Sequence, residues 1–360
     1  MKQKKHHILF LLLALNLLCF SKIEVNAWPA GDGDSNWNVE AVKTYNDFQY
    51  MYMPETDSIA VVGYVGNNEV VVVPGEIDGK PVKEIVGFND YTNFNWYQPN
   101  PSIKEIYVSE GILCIGGFHN CINVEKVHLP NSVQVIGADA FENCKNLKEV
   151  VWSANLVKIE RGAFAGCIKL KKVNLPYGIK EIGSFAFARC YSLKQISIPD
   201  SVVEIGEEAF FACSKLSKVK LSKNLTVIKR SSFHACNIKS VQIPNKVKRI
   251  EEEAFAASNL KQIKLPSSLI YIESSAFAAN SIKEIIIPSK VKSIGYQAFA
   301  HCKQLKKITI KSTNVKKISK GAFYNIHKNA TFNVPNKQIR KYKKMLIAGN
   351  NFNEKNMKIR

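Results

Sequence analysis

The chain has 360 residues, of which 46% are hydrophobic, and a formal net charge of +20 at pH 7. This length and apolar content allow a large buried core, and they exclude a short peptide or a polar chain that could not fold by itself. The charge bears on solubility and on partners, and it excludes no fold.

Residues 1–27 have the features of an export signal that is removed from the mature protein. A basic start at residues 2–5 precedes an apolar run of 13 residues, Ile8–Phe20, and a small-residue site predicts cleavage after Ala27. The run is too short to span a bilayer, which takes about 20 residues. A lipid anchor on Cys19 is the alternative. We therefore predict a mature chain without a transmembrane segment, secreted or held at the cell surface.

Residues 28–68 differ from the rest of the chain, because they contain six acids and one base and lack the repeat that follows. Strands are predicted at Phe48–Met53, Ile59–Tyr64 and Val70–Val73, which are rich in β-branched and aromatic residues. The end of a repeat array would otherwise leave strand edges unpaired and core uncovered. Residues 28–68 are therefore predicted to form an N-terminal β cap.

Repeats fill residues 69–329, and each is marked by a phenylalanine after a small residue. From Phe118 onward the phenylalanines recur every 22 to 24 residues, a period typical of leucine-rich-repeat solenoids. In typical units, Leu170–Pro176 predicts a strand ended by proline, Ile179–Ile182 a second extended segment, and Ala140–Leu147 a short helical turn. The repeated phenylalanines are Phe118, Phe141, Phe164, Phe187, Phe210, Phe233, Phe255, Phe277, Phe299 and Phe323.

No such unit can bury its apolar face alone, so the units must stack on one another. The predicted fold is an α/β solenoid. It is a single right-handed leucine-rich-repeat array of about 11 repeats of 22–24 residues, with a parallel β-sheet on one face and a cap at each end.

The repeat also has a recognisable consensus, Ile-Gly-x-x-Ala-Phe-x-x-Cys-x-x-Leu-x-x-Val-x-Ile-Pro, represented by Ile182–Pro199. It resembles the repeat of the BspA-type leucine-rich-repeat family of bacterial surface and secreted proteins, over about residues 59–335. The resemblance implies adhesion to host matrix proteins, such as fibronectin or fibrinogen, or to other cells. It implies no ligand residues, because the motif specifies the fold and not the contacts.

One interval in the array is longer than the others, since 30 residues separate Phe88 from Phe118. Insertions in a solenoid form loops on one face, often the binding face. The surplus, Asn89–Pro101, is rich in aromatic residues, which are enriched at interface hot spots. We predict a partner-binding loop, and the alternative is a loop that folds back over the first repeats. Its aromatic residues are Tyr91, Phe94, Trp96 and Tyr97.

Cysteine recurs three residues after the phenylalanine in most units. Disulfides between neighbouring turns are one interpretation for a secreted chain. Serine and asparagine replace cysteine in two units, and the position lies on the apolar side, so a ladder of buried free thiols is preferred. Cys114 lies outside this ladder, whose members are Cys121, Cys144, Cys167, Cys190, Cys213, Cys236 and Cys302, with Ser258 and Asn280 at the same position.

Lysines also recur in register and are predicted to form a ribbon along one edge of the sheet. A basic stripe of this kind can bind a polyanion, such as a glycosaminoglycan or lipopolysaccharide, through counterion release. The alternative is a solvated edge that keeps the array soluble. The ribbon contains Lys104, Lys148, Lys171, Lys194, Lys239, Lys261, Lys283 and Lys306. Beside it, the solvent-facing strand positions proposed to bind a polyanion are Lys172, Lys218, Lys220, Lys264 and Lys307.

Catalysis finds no support in the pattern. The histidines occupy different repeat positions and lack a nucleophile and acid in matching units. No cysteine–histidine cluster with metal-ligand spacing and no phosphate-binding glycine loop occurs, so no cofactor or metal is predicted. Nucleic acid is a poor partner for a secreted chain.

Residues 330–360 are predicted to close the array. Ala330–Pro335 predicts a last strand, and helical spacing in Asn336–Ala348 predicts an amphipathic helix that covers the final repeat, with Gly349 as C-cap. The basic face of this helix makes binding to a membrane surface the alternative. The polar tail Asn350–Arg360 is expected to be loose.

Together these features predict an exported, non-enzymatic protein that binds other proteins and functions in adhesion. Binding of a polyanion through the lysine ribbon is the alternative function.

Overall fold

The computed structural model describes residues 42–88, 101–349, 352–353 and 355–360. The chain coils into a β-solenoid of about 12 turns, which confirms the predicted leucine-rich-repeat fold, for which about 11 repeats were expected. Most turns contribute one short strand to a first row and one to a second row, and a third side consists of turns. Within the described residues no helix is long and apolar enough to cross a membrane.

The strands are short, from two to seven residues, and most are parallel to their neighbours. In chain order they are β1 (Lys43–Tyr45), β2 (Phe48–Met53), β3 (Ser58–Tyr64), β4 (Val70–Val73), β5 (Glu76–Ile77), β6 (Lys80–Ile85), β7 (Glu105–Val108), β8 (Cys114–Ile115), β9 (Lys126–His128), β10 (Val135–Ile136), β11 (Glu149–Val151), β12 (Lys158–Ile159), β13 (Glu181–Ile182), β14 (Gln195–Ser197), β15 (Glu204–Ile205), β16 (Lys218–Lys220), β17 (Val227–Ile228), β18 (Ser240–Gln242), β19 (Arg249–Ile250), β20 (Gln262–Lys264), β21 (Tyr271–Ile272), β22 (Glu284–Ile287), β23 (Ser293–Ile294), β24 (Lys307–Ile310), β25 (Lys317–Ile318), β26 (Thr331–Asn333) and β27 (Lys358–Ile359).

The first row begins as the four-stranded sheet β4-β7-β9-β11, continues as the pairs β14-β16 and β18-β20, and ends as β22-β24-β26-β27. The second row runs through β6, β8, β10, β12, β13 and β15, and then continues as the five-stranded sheet β17-β19-β21-β23-β25. The first row is interrupted at 170–176, where a strand was predicted and none forms. The backbone contact there is long, at 3.5 Å from Lys194 N to Lys171 O.

The third side differs from the prediction, because the segment after the second strand is not helical in the repeats that the structure describes. In the unit of Phe141, the backbone N–H groups of Phe141 and Asn143 donate to Ala163 and Ala165 of the next turn, both at 2.7 Å. Asp139 and Asn143 have positive φ angles of 53° and 57°. Alternating backbone handedness aims the amides along the stacking direction, so hydrogen bonds between turns replace those of a helix.

Most repeats place two residues in this left-handed conformation, two positions before and two positions after the phenylalanine. One repeat has Gly162 and Gly166 at these positions, with φ angles of 63° and 73°. Glycine adopts this conformation freely, whereas an L side chain there costs about 1–2 kcal/mol. Phe185 and Ala212 nevertheless occupy equivalent positions. Packing and hydrogen bonds between turns therefore outweigh the local preference.

The core is continuous and centred on a column of phenylalanine rings. Phe187 is fully buried, and its ring lies 5.3 Å from that of Phe164 and 5.4 Å from that of Phe210, with interplanar angles of 3° and 7°. Stacked rings at such distances contribute about 0.5–1.5 kcal/mol beyond the area they bury. The column extends from Phe88 to Phe323.

The N-terminal end of the second row continues into β3, β2 and β1, where β1 and β2 are antiparallel. The ring of Tyr64 stacks on Phe88 at 5.4 Å, and Phe48 contacts both rings. These contacts cover the first phenylalanine of the column.

At the C-terminal end, a 3-10 turn at Asn336–Gln338 leads into helix α1 (Ile339–Ala348), as predicted. The helix buries Tyr342 and Leu346. The described part of the tail is not loose, which corrects the expectation. Strand β27 pairs in parallel with β26, and the backbone N–H of Arg360 donates to Phe332 O at 2.9 Å.

Candidate functional site

The residues predicted to bind a partner fall into two groups. The four loop aromatics, Tyr91, Phe94, Trp96 and Tyr97, lie outside the described residues. The five lysines proposed for polyanion binding are all exposed. Lys218, Lys220, Lys264 and Lys307 lie on strands of the first row, and Lys172 lies in the segment that interrupts this row.

Those five lysines line two adjoining parts of a shallow groove over the first row. One part, of ≈ 480 Å³, includes Lys172, Lys218 and Lys220, and the other, of ≈ 960 Å³, includes Lys264 and Lys307. The two parts share Val219 and Ser240. Strand register places polar residues between these lysines, because Lys220 lies beside Ser197 and Lys264 lies beside Gln242. Strand neighbours are about 4.8 Å apart, so the groove presents amines separated by uncharged side chains along the stacking direction.

Ion pairing divides the predicted ribbon into two parts. Lys104 Nζ lies 2.5 Å from Glu69 Oε1, and Lys148 Nζ lies 2.7 Å from Glu125 Oε2. From Lys171 to Lys306, by contrast, no ribbon lysine forms an ion pair with the residues that the structure describes. The members without such a pair are Lys171, Lys194, Lys239, Lys261, Lys283 and Lys306.

The first four strands of this row carry an exposed apolar surface that the sequence analysis missed. Val72, Tyr107, His128 and Val151 are neighbours at one register position of β4, β7, β9 and β11. Val72 is 58% exposed, Val151 40% and Tyr107 37%, and Val70 on the same strand as Val72 is 51% exposed. We refer to Val72, Tyr107, His128 and Val151 as the apolar row. Aligning the strands by repeat position would have revealed it, because every member occupies the third residue of its strand.

Tyr107 and His128 are held in place by Glu105. Their rings stack with centroids 4.0 Å apart and an interplanar angle of 10°. His128 Nε2 lies 2.7 Å from Glu105 Oε1, and the Tyr107 hydroxyl donates to the same oxygen at 3.1 Å. The contact with His128, more than that with Tyr107, holds the pKa of Glu105 below its usual range. The centre of the apolar row is therefore preorganised.

The cysteine ladder lies in the core and away from this face. Cys121, Cys144, Cys167, Cys190, Cys213, Cys236 and Cys302 are buried, and none of the described cysteines is in a disulfide. Burial raises the pKa of Cys121 and of Cys213 to about 12. A thiol with such a pKa is neither a nucleophile nor a metal ligand at neutral pH. Within the described ranges no three metal-ligating side chains come together.

Comparison with known proteins agrees with this geometry. The chain resembles a leucine-rich repeat protein from Bacteroides ovatus, with 25% identity and a TM-score of 0.63, covering 81% of this chain and 70% of that one. It also resembles a leucine rich cell surface protein from Faecalibacterium prausnitzii, with 22% identity and a TM-score of 0.51, covering 91% and 95%. No curated protein sequence matches. The model of the BspA type leucine rich repeat region matches residues 114–238 and 226–353. The chain therefore belongs to the BspA-type leucine-rich-repeat family.

Proposed function

We propose that this chain is an exported, non-enzymatic adhesin that binds a protein of the host matrix or of another cell through the first strand row. The observation that carries the proposal is the apolar row, in which Val72, Tyr107 and Val151 remain exposed beside a fully packed core. Export is supported by the predicted signal at residues 1–27, and the BspA-type repeat is typical of bacterial surface and secreted proteins. Secretion and display at the cell surface are both compatible with this role.

The apolar row has the chemistry of a protein-binding surface. Tyrosine is enriched at interface hot spots, and a stacked ring loses little conformational entropy on binding. Bases near this row have acidic partners, because Lys104 pairs with Glu69, Lys148 with Glu125, and Lys126 of β9 with Glu149 at 3.8 Å. This part of the face therefore favours an apolar protein surface over a polyanion. The loop aromatics Tyr91, Phe94, Trp96 and Tyr97 are proposed to contribute to the same contact.

Binding to immobilised fibronectin and fibrinogen tests the proposal. The variant V72S/Y107S/V151S removes the apolar row, and Y91S/F94S/W96S/Y97S removes the loop aromatics. Val203 is also exposed, at 57%, but lies on the second row side, so V203S is the matched control. We expect the first two variants to lose at least about tenfold in affinity, because one hot-spot residue contributes about 2 kcal/mol or more. Binding should persist at high salt, since apolar contacts are not screened.

Retention of binding in both variants would contradict a protein contact at this face. Equal loss in V203S would point to unfolding instead. If only the loop variant loses binding, the apolar row is not part of the contact.

A second function, binding of a sulfated glycan such as a glycosaminoglycan, is favoured by the groove. Lys172, Lys218, Lys220 and Lys264 line it without an ion pair among the described residues, and the next, Lys307, has only a 3.9 Å contact with Glu284. Exposed amines spaced along one groove match a linear polyanion, and releasing its counterions drives binding. Heparin binding by K218Q/K220Q/K264Q tests it, in comparison with K145Q/K169Q/K215Q, whose exposed lysines line neither part of the groove. We expect only the groove variant to lose affinity, and equal losses would contradict a defined site.

A further inference from the structure

The last turns and the helix that follows them are far more basic than the rest of the chain. Between Ile285 and Asn353 the sequence has no Asp or Glu and fifteen Lys and Arg residues. We call these fifteen residues the basic end. They are Lys290, Lys292, Lys303, Lys306, Lys307, Lys311, Lys316, Lys317, Lys320, Lys328, Lys337, Arg340, Lys341, Lys343 and Lys344.

Every residue of the basic end is exposed. Leaving Lys343 aside, the ion pair that its members form within the described residues is the 3.9 Å contact of Lys307 with Glu284. Earlier turns mix lysines that lack such a pair with paired bases, such as Lys148 with Glu125 and Arg230 with Glu207 at 2.7 and 3.0 Å. Uncompensated positive charge repels itself and costs stability. Its concentration at one end, in an array that otherwise interleaves acids, therefore points to an anionic partner.

The distribution of the charge indicates the shape of that partner. Lys307 is on the first strand row, Lys317 on the second and Lys344 on α1, so the bases occupy several sides of this end. A flat bilayer could contact one of these sides at a time, whereas a flexible chain can contact them together. Helix α1 also buries its apolar residues Tyr342 and Leu346 in the array. Ile347 is the exposed large apolar residue of this helix, at 42%, and one such side chain is a weak anchor for insertion into lipid.

We propose that the basic end binds a flexible polyphosphate polymer, in which phosphates are joined along one chain. Lysine suits this role, because its compact charge binds phosphate without the fixed fork of arginine. The proposal concerns a surface separate from the apolar row and does not depend on the adhesin function.

Long-chain inorganic polyphosphate is the probe. The variant K316Q/K317Q/K320Q/K344Q removes four positive charges from the basic end. The control variant K145Q/K169Q/K180Q/K215Q removes the same number of charges from earlier turns. The four control lysines are exposed and form no ion pair within the described residues. Affinities are measured from 50 to 400 mM salt, and urea midpoints check that both variants stay folded.

We expect the basic-end variant to bind at least about tenfold more weakly at 100 mM salt. If each lysine–phosphate contact adds about 0.7 to the slope of log K against log salt, losing one contact weakens binding about fivefold at this salt concentration. The slope of log K against log salt should become shallower by up to about 3. The variant with four arginines at the same positions should bind nearly as well as the wild type. The control variant should lose much less.

Equal losses in the two glutamine variants would overturn the proposal, because binding would then follow net charge alone. Vesicles rich in phosphatidylglycerol form the second arm. If they bind as tightly as polyphosphate and with the same dependence on the basic end, the partner is a lipid surface and the proposal fails.

Discussion

The thiol of Cys144 donates a hydrogen bond to the backbone oxygen of Phe118 in the preceding turn, with 3.1 Å between Sγ and O. Each later residue at this position up to Cys302 makes the same contact, including Asn280, whose Nδ2 lies 2.7 Å from Phe255 O. The hydroxyl of Ser258 donates to Phe233 O. Cysteine, serine and asparagine interchange here because all three supply a buried donor.

Replacing one ladder thiol tests this explanation. Cys190 donates to Phe164 O at 3.3 Å, and that oxygen also accepts the N–H of Cys167. We expect Cys190→Val to lower the free energy of unfolding by about 0.5–1.5 kcal/mol, because the carbonyl loses one of two donors. Cys190→Ser keeps a donor and should cost less. Urea unfolding measures both, and a valine variant more stable than the serine variant would contradict the donor role.

The phenylalanine column should carry much of the stability of the central turns. Phe187→Ala removes a fully buried ring that stacks on Phe164 and Phe210, so we expect a cost of about 3–5 kcal/mol. Phe187→Leu keeps most of the volume and should cost less. Thermal melts measure the difference, and a shift below about two degrees for the alanine variant would be incompatible with this packing.

The buried thiols make the fold sensitive to alkali. The pKa of Cys213 is about 12 in the folded chain and about 8.5 in an unfolded one. The stability that comes from keeping this thiol protonated is therefore fully present below about pH 8.5. It is lost as the pH rises toward 12, by about 1.4 kcal/mol of unfolding free energy per pH unit for each thiol. We expect the unfolding free energy of Cys213→Ser to fall less steeply with pH, by that amount per unit. Urea unfolding at pH 8, 9 and 10 measures it, and parallel curves would refute it.

Helix α1 should protect the final turns from local unfolding, mainly through Tyr342. Tyr342 is fully buried, and its hydroxyl donates to Ser312 O at 2.5 Å. Tyr342→Phe should cost about 0.5–1.5 kcal/mol, and Tyr342→Ala about 3–5 kcal/mol. Because each turn contacts only its neighbours, we expect faster amide exchange in the last turns and unchanged exchange near Phe187. The exposed Lys344→Ala is the control, and uniform acceleration along the chain would contradict local protection.

Much of the fold could be predicted from the sequence, because it follows from residue spacing. The period of 22 to 24 residues predicts the stacked turns, and the apolar positions predict the column from Phe118 to Phe323. Strands β2 and β4 occur at the predicted residues, and α1 lies within the predicted helix. The candidate lysines were also predicted, since strand alternation decides which side chains face solvent.

The sequence by itself therefore determined the solenoid, its core and its exposed lysines, because each repeat encodes the same local pattern. Only the tertiary structure decided three other features. The third side is not helical, because amides such as Phe141 N–H bond to the next turn. Lys148 is neutralised by Glu125 whereas Lys171 has no such pair. Val72, Tyr107 and Val151 form one row. All three depend on contacts between residues more than 20 positions apart, which arise only when the turns stack.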